Sequence, residues 1–182
     1  MKEIIFAGFG GQGILTAGMV LTYIASQRDF NTVWMPSYGA SMRGGKANCV
    51  VKYGSETIGS PMMEDADILV AMNEPALSYL SFCKKDTKVF VNLNSVSPGY
   101  QYDENVDYVK LDCVRIANEI GNPRGANLVM LGAVIKTCNL FDPSFAEKAM
   151  CQYFEGKGKG KFNAGNIKAL AAGMAAAENG GK

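Results

Sequence analysis

A glycine-rich turn between an apolar strand and an apolar helix constrains this chain more than any other feature. The sequence G-F-G-G-Q-G at residues 8–13 follows a short apolar run at residues 4–7 and precedes another that begins at Ile14. Gly8, Gly10 and Gly13 fit the spacing G-x-G-x-x-G, which lets the backbone turn tightly and leaves the first amides of the next helix facing outward. The pattern predicts an α/β unit whose turn either binds an anion or serves only as a tight strand-to-helix connection.

The sequence disfavours the two best-known uses of such a turn. A dinucleotide domain needs an Asp or Glu roughly 20 residues further on, at the end of the second strand, to hold the ribose hydroxyls. Here that strand is predicted at residues 32–35 and ends in Pro36-Ser37, while the nearest acid, Asp29, precedes it. A Walker A loop is excluded because Ile14 and Leu15 stand where a Lys and a Ser or Thr would be required.

Length and charge narrow the class of protein. The 182 residues predict a single domain over 1–182, and 18 basic against 17 acidic residues give a net charge of +1. Such a balance offers no electrostatic surface for nucleic acid or an acidic membrane. Because the N-terminus enters a strand directly and no apolar run approaches membrane-spanning length, the chain is predicted to be cytoplasmic.

The reactive residues argue against catalysis by this chain alone. Its five cysteines are spread without any C-x-x-C pair, and it contains no histidine. Neither a disulfide framework nor a zinc or iron–sulfur ligand set is indicated, and no Ser-His or Cys-His nucleophile can form. We therefore predict no catalytic and no metal-binding residue.

The order of elements predicts a three-layer α/β/α, Rossmann-like domain with a mostly parallel, mixed sheet. Strands are expected at residues 4–7, 32–35, 68–72, 88–92 and 106–111, with an antiparallel hairpin formed by 47–53 and 56–58. Helices are expected at 14–26, from Asn73-Glu74-Pro75 onward, and after the N-caps Asp112 and Asp142. Gly18 would let the first of these helices sit close to the sheet. The helix at 127–138 is apolar all round, so one of its covers could be another subunit. A flexible basic link is expected at 156–161, before a final helix at 164–178.

A second loop, the contact loop at residues 37–46, has a composition suited to contact with a ligand or a partner. Its glycines permit close approach, its hydroxyls and aromatic ring offer hydrogen bonds, and Arg43 and Lys46 add positive charge. The plainer interpretation is a turn-rich surface crossover with a solvated arginine. Because the ends of parallel strands meet at one edge of a sheet, both glycine loops are expected to face the same side.

Taken together, the two loops resemble the gamma subunit of 2-oxoacid:ferredoxin oxidoreductases. The resemblance rests on G-F-G-G-Q-G at 8–13 and S-Y-G-A-S-M-R-G-G-K-A-N-C at 37–49. It continues in I-G-S-P at 58–61, Ala66-Asp67, Asn73 and N-L-V-M-L-G at 127–132, and thins after about residue 140. The form M-R-G-G-x-A-N-C is closest to the 2-oxoglutarate or branched-chain 2-oxoacid enzymes.

This resemblance implies a non-autonomous subunit of a complex that oxidatively decarboxylates a 2-oxoacid with coenzyme A, forming acyl-CoA and carbon dioxide. Electrons pass to ferredoxin or a similar acceptor. Thiamine diphosphate, Mg²⁺ and iron–sulfur clusters are expected on partner subunits, with CoA as co-substrate and 2-oxoglutarate as the favoured acid. The chain would help to assemble the complex and enclose its active site, would be inactive alone, and could form a homodimer when isolated.

The resemblance also implies which residues bind a cofactor or a partner subunit. They are the glycine-turn and contact-loop residues together with the polar residue after the fourth main strand: Gly8, Gly10, Gly11, Gln12, Gly13, Ser37, Tyr38, Gly39, Ser41, Met42, Arg43, Gly44, Gly45 and Asn73. Gln12 is expected to bond a partner backbone or a CoA amide, or only to cap the following helix. Arg43 is expected to bind a partner carboxylate or a phosphate. Lys157, Lys159 and Lys161 could reach CoA phosphates, although a solvated hinge is the simpler interpretation.

Two other hypotheses remain from the sequence alone. An autonomous module could use the glycine turn to bind a nucleotide, CoA or another phosphorylated ligand. An NAD-dependent dehydrogenase is disfavoured by the missing ribose acid and by the lack of an identifiable catalytic acid.

Overall fold

The fold was analysed in a computed structural model that describes residues 1–39 and 44–178. Within these ranges the chain forms six strands and five α-helices. The strands are β1 (Lys2–Phe9), β2 (Asn31–Tyr38), β3 (Lys46–Gly54), β4 (Ala66–Ala71), β5 (Cys83–Asn92) and β6 (Asp107–Leu111). The helices are α1 (Ile14–Ser26), α2 (Cys113–Glu119), α3 (Ala126–Thr137), α4 (Pro143–Gly156) and α5 (Asn163–Glu178). Three 3₁₀ helices join them, at Glu74–Phe82, Leu93–Ser95 and Gly160–Phe162.

The strands form one mixed sheet in the order β2-β3-β1-β4-β5-β6. β1, β4, β5 and β6 pair in parallel, whereas β3 runs antiparallel to both β1 and β2. The predicted hairpin between residues 47–53 and 56–58 is therefore wrong. Both edges of β3 are already paired, with β1 on one side and β2 on the other, so residues 56–58 have no free strand edge to join.

The segment after β3 instead crosses the amino end of the sheet and covers a buried ion pair. The Lys52 ammonium lies 3.1 Å from the Glu3 carboxylate, and the Lys52 side chain is only 1% exposed. The backbone N–H of Glu64 donates to the same carboxylate at 3.3 Å, and that of Glu3 donates to Asp67 at 2.8 Å. Each buried charge thus has a partner, as burial requires.

Helices cover both faces of the sheet, which confirms the predicted α/β architecture. One face carries alternate residues such as Ile4, Phe6 and Val70 and packs against the α-helices. The other face carries Ile5, Ala7 and Leu69 and packs against the 3₁₀ helix Glu74–Phe82 and a tyrosine-rich segment near β6. Among the described residues, no helix is long and apolar enough to cross a bilayer.

The predicted N-caps and the close packing of α1 are confirmed. Asn73 accepts from Ala76 N at 3.0 Å, Asp112 from Arg115 N at 2.9 Å, and Asp142 from Phe145 N at 3.0 Å. Gly18 lets α1 approach the sheet, because a Cβ at this position would meet side chains of β2 and β3, including that of Cys49.

Two expectations about the C-terminal part of the chain are wrong. The apolar helix α3 needs no second subunit to cover it, since α5, α2, α1 and the sheet bury all residues from Asn127 to Ile135. The basic link is a tight turn rather than a flexible hinge. Lys159 N donates to Phe154 O and Gly158 N to Glu155 O, both at 2.8 Å, before the 3₁₀ helix Gly160–Phe162.

Helices α3 and α5 touch through their backbones. A Cβ on Gly173 would collide with the carbonyl of Val129, and one on Gly132 would collide with the carbonyl of Leu170. Glycine at both positions lets the helix axes approach more closely than any side chain would allow.

We expect Gly173→Ala to lower the free energy of unfolding by about 1–3 kcal/mol, the usual range for overpacking a buried contact. Urea denaturation monitored by circular dichroism measures the change. Gly156→Ala, where a Cβ would meet nothing, is the matched helical control and should be neutral or slightly stabilising. Equal stability of the two variants would contradict the proposed contact.

Candidate functional site

The glycine turn and the contact loop meet at the carboxyl edge of β1, as predicted. The Gly10 amide donates to the Gly45 carbonyl at 2.9 Å, and the Gly44 amide donates to the Gly10 carbonyl at 3.1 Å. The loop is the tip of the β2–β3 hairpin rather than a crossover, because β3 returns beside β1. Ser41, Met42 and Arg43 lie outside the described residues.

Hydrogen bonds of the Gln12 side chain connect the glycine turn to the ends of β1 and β4. Its Oε1 accepts from Phe9 N at 2.7 Å and from Asn73 Nδ2 at 3.0 Å, while its Nε2 donates to Met72 O at 2.9 Å. Both acceptor positions of the carboxamide oxygen and one of its two donors are thus used within the chain. The structure assigns Gln12 an internal bridging position between β1 and β4, and it does not cap α1.

Two further carboxamides extend this arrangement across the sheet. Asn92, the last residue of β5, lies with its Nδ2 3.4 Å from Met72 O and 3.3 Å from Ser95 Oγ. Its Oδ1 accepts from the amide of Cys113, the first residue of α2, at 3.1 Å. Asn73 links the same edge to the 3₁₀ helix Glu74–Phe82, whose N-cap it forms. The ends of β1, β4 and β5 are thereby joined through neutral amides.

Asn127 holds the turn from the helical side. Its Nδ2 donates to the Gly13 carbonyl at 3.0 Å. Gly13 precedes α1 with a φ of 73°, a left-handed conformation that favours glycine, and α1 has no side-chain cap at this end. The first-turn amides of α1 therefore lack both an intrahelical partner and a capping side chain.

A cleft of about 510 Å³ opens between the turn, the start of α1 and the β2–β3 hairpin. The described residues that line it are uncharged and mostly apolar: Gly10, Gly11, Gly13, Ile14, Leu15, Thr16, Trp34, Pro36, Tyr38 and Ala47. This volume and composition are typical of sites that bind a small molecule or an inserted side chain.

Trp34 forms a wall of the cleft and lies beside a buried thiol. Its indole nitrogen is buried and has no hydrogen-bond partner in the described part of the chain. Burial raises the pKa of the neighbouring Cys49 thiol to about 12. Cys49 therefore stays protonated near neutral pH, so this wall is neutral and unreactive.

The site has no catalytic apparatus among the described residues. No group of three or more Cys, Asp or Glu side chains is arranged to hold a metal ion in ranges 1–39 and 44–178. The cleft contains neither a carboxylate nor a lysine from these ranges, and Lys157, Lys159 and Lys161 do not line it. The described residues can bind and orient a neutral group.

Most predicted site residues converge, and three others were missed. Gly8 to Gly13, Gly44, Gly45 and Asn73 are brought together, Tyr38 lines the cleft, and Ser37 and Gly39 flank it in the hairpin. Sequence reasoning did not select Trp34, Asn92 or Asn127. The signal for Asn92 was available, since an asparagine that ends an apolar strand is the same pattern that singled out Asn73.

Replacing Gln12 tests the bridge between β1 and β4. We expect Gln12→Ala to lower the free energy of unfolding by about 1–3 kcal/mol, because buried polar partners lose their hydrogen bonds. Gln27→Ala is the control, since the Gln27 side chain is exposed and its amide lies 3.5 Å from Ser26 Oγ. Urea titrations of both variants measure the difference, and a Gln12 variant as stable as the control would contradict the bridging role.

Comparison with known proteins identifies the family. Residues 3–176 match the model of the pyruvate ferredoxin/flavodoxin oxidoreductase family. The 2-oxoglutarate synthase subunit KorC of Methanothermobacter marburgensis is 35% identical over 156 residues, covering 82% of this chain and 84% of that subunit. The ketoisovalerate oxidoreductase subunit VorA of the same organism is 34% identical over 173 residues, covering 94% of this chain.

The chain spans only 35% of the length of VorA, so in that relative the matching region is part of a longer polypeptide. The crystal structure of a keto/oxoacid ferredoxin oxidoreductase gamma subunit from Geobacter sulfurreducens superposes with a TM-score of 0.80 at 26% identity, covering 98% of this chain and 99% of that one. The sequence match, the fold and the paired glycine loops lead to one conclusion: the chain belongs to the pyruvate ferredoxin/flavodoxin oxidoreductase family and is of the gamma-subunit type.

Proposed function

We propose that this protein is a gamma-type subunit of a 2-oxoacid:ferredoxin oxidoreductase, with 2-oxoglutarate as the substrate of the complex. The complex would convert the acid and CoA to acyl-CoA and carbon dioxide and pass the electrons to ferredoxin or a similar acceptor. The observation that carries this proposal is the match to KorC over 82% of this chain and 84% of that subunit, combined with a loop platform that lacks catalytic side chains in the described part of the chain.

The proposed role of the chain is assembly and enclosure of the active site, without activity of its own. Its joined glycine loops present neutral backbone and amide groups at one edge, where Gly10, Gly44 and Gly45 are already fixed by mutual hydrogen bonds. Thiamine diphosphate, Mg²⁺ and iron–sulfur clusters are proposed to reside on partner subunits. Within 1–39 and 44–178, no cluster of three or more Cys, Asp or Glu side chains is arranged to hold a metal ion. We expect the complex in the cytoplasm.

Two alternatives have specific support. A branched-chain 2-oxoacid is the alternative substrate, because VorA matches over 94% of the chain. An autonomous nucleotide- or CoA-binding module is the alternative function, because the cleft lies beside the open first turn of α1. An NAD-dependent dehydrogenase is further disfavoured by topology. β3 separates β2 from β1, whereas the dinucleotide fold places its second strand beside its first.

Anaerobic purification from native cells tests the proposed function. We expect the chain to co-purify with larger subunits that carry thiamine diphosphate and iron–sulfur clusters. The preparation should reduce viologen dye in a CoA-dependent reaction with 2-oxoglutarate, and more slowly with pyruvate or 2-oxoisovalerate. A lone, colourless protein without activity would contradict the proposal and favour the binding module, which titration with CoA and nucleotides would then examine.

Arg43 is proposed to contact a partner carboxylate or a CoA phosphate. We expect Arg43→Ala to leave the melting temperature of the isolated chain within about 1 °C, because an arginine whose role is contact with a partner or a phosphate would contribute little to folding. The Kd for assembly with the partner subunits, or the KM for CoA, should rise by about tenfold. Arg124→Ala, at an exposed position, is the control. A lower melting temperature with normal assembly and normal KM would make Arg43 a structural residue.

A further inference from the structure

The cleft beside the glycine turn is a surface that nothing within the described chain covers. Trp34, Pro36 and Leu15 are partly exposed at its walls, and Tyr38 is 58% exposed at its rim. Large apolar side chains gathered at one concave place indicate an interaction site more than scattered surface residues do.

Charge indicates what kind of group the cleft accepts. None of its described lining residues carries a charge, and the thiol beneath Trp34 is held neutral. Against these described residues, a 2-oxoacid carboxylate or a CoA phosphate would lose its hydration without an opposing side-chain charge, which is unfavourable. An apolar side chain loses nothing and gains contact with Trp34, Ile14 and Leu15.

Backbone geometry indicates a polypeptide as the source of that side chain. β2 is an edge strand in which every residue is partly or fully exposed, and α1 presents first-turn amides without a side-chain cap. Carbonyl oxygens of a neighbouring chain would satisfy such donors. In VorA, the matching region is joined to about twice its own length of further polypeptide.

We propose that this cleft is the docking site for an uncharged, apolar segment of a larger partner subunit of the same complex, which inserts between Trp34 and the start of α1. The proposal rests on the proposed function. Aromatic side chains at the centre of such a contact commonly contribute most of the binding energy.

The chain carries its own reporter for this contact, because Trp34 is its only tryptophan. Labelling the chain alone with 5-fluorotryptophan gives one ¹⁹F resonance that reports the cleft. The partner subunits are isolated from the anaerobically purified complex and added to the labelled chain. We expect the resonance to shift and broaden on addition of these subunits and to remain unchanged on addition of 2-oxoglutarate or CoA alone.

Matched variants test whether the cleft itself makes the contact. Tyr38→Asp should raise the Kd for the partner subunits by about tenfold or more. Phe162→Asp, at a 53% exposed aromatic residue away from the cleft, should bind like the unmodified chain. Thermal unfolding of both variants should match that of the unmodified chain, which excludes a general folding defect. Leu15→Glu is a second cleft variant with the same expected loss.

Several results would overturn the proposal. A resonance that shifts with CoA or 2-oxoglutarate alone would make the cleft a small-molecule site, and one that shifts with the concentration of the chain alone would make it a contact between two copies. Equal partner affinity for Tyr38→Asp, Leu15→Glu and Phe162→Asp would place the interface elsewhere. Failure of the proposed function is distinguishable from all of these, because then the unmodified chain would bind no partner subunit at all.

Discussion

The hydrogen bonds of the Gln12 carboxamide are the contacts on which the site depends. They join the end of β1 to the end of β4 and bring Asn73 to the turn. Gly10 in this turn is hydrogen-bonded to Gly44 and Gly45, so the same contacts also position these two residues of the β2–β3 hairpin. Asn127 holds Gly13 from the opposite side. The turn is thereby fixed between the sheet and α3 before any ligand or partner arrives.

Among the described residues, the side chains whose hydrogen bonds hold this edge are neutral amides rather than charged groups. Carboxamides satisfy backbone groups without a strong field, so the edge holds its shape over a wide pH range. The ion pairs described here lie elsewhere, as with Glu3 and Lys52 at the opposite end of the sheet. A neutral, preorganised edge suits binding and orientation, whereas acid–base chemistry needs groups that titrate. The proposed division of work between this chain and its partners follows from that difference.

Local signals in the sequence were sufficient for much of the fold. The apolar strands, the N-caps Asn73, Asp112 and Asp142, and the close approach at Gly18 all depend on neighbouring residues, and they were predicted correctly. The position of β3 was not predicted, because its pairing with both β1 and β2 depends on the arrangement of the whole sheet. The same holds for α3, whose cover by α5 depends on glycines about 40 residues apart in the chain.

The candidate site also combines residues that the sequence revealed with residues that only the structure revealed. Its glycines and Asn73 are visible as a motif, while the hydrogen bonds from Asn127 to Gly13 and from Gln12 to Met72 join residues 114 and 60 positions apart. Such contacts leave no periodic pattern in the sequence. Trp34 was missed because a tryptophan in an apolar strand usually indicates core, and only the topology shows that its strand is at the edge of the sheet.

The parallel packing of α3 and α5 determines where the two ends of the described chain lie. α3 starts beside the glycine turn and ends at the opposite edge of the sheet, and α5 runs alongside it until Glu178 pairs with Lys136 at 2.7 Å. Lys2 begins β1 at that same far edge. In a relative such as VorA, covalent fusion at either end would therefore emerge away from the glycine loops. The same domain can serve as a separate subunit or as a segment of a longer polypeptide without any change at the edge that carries the loops.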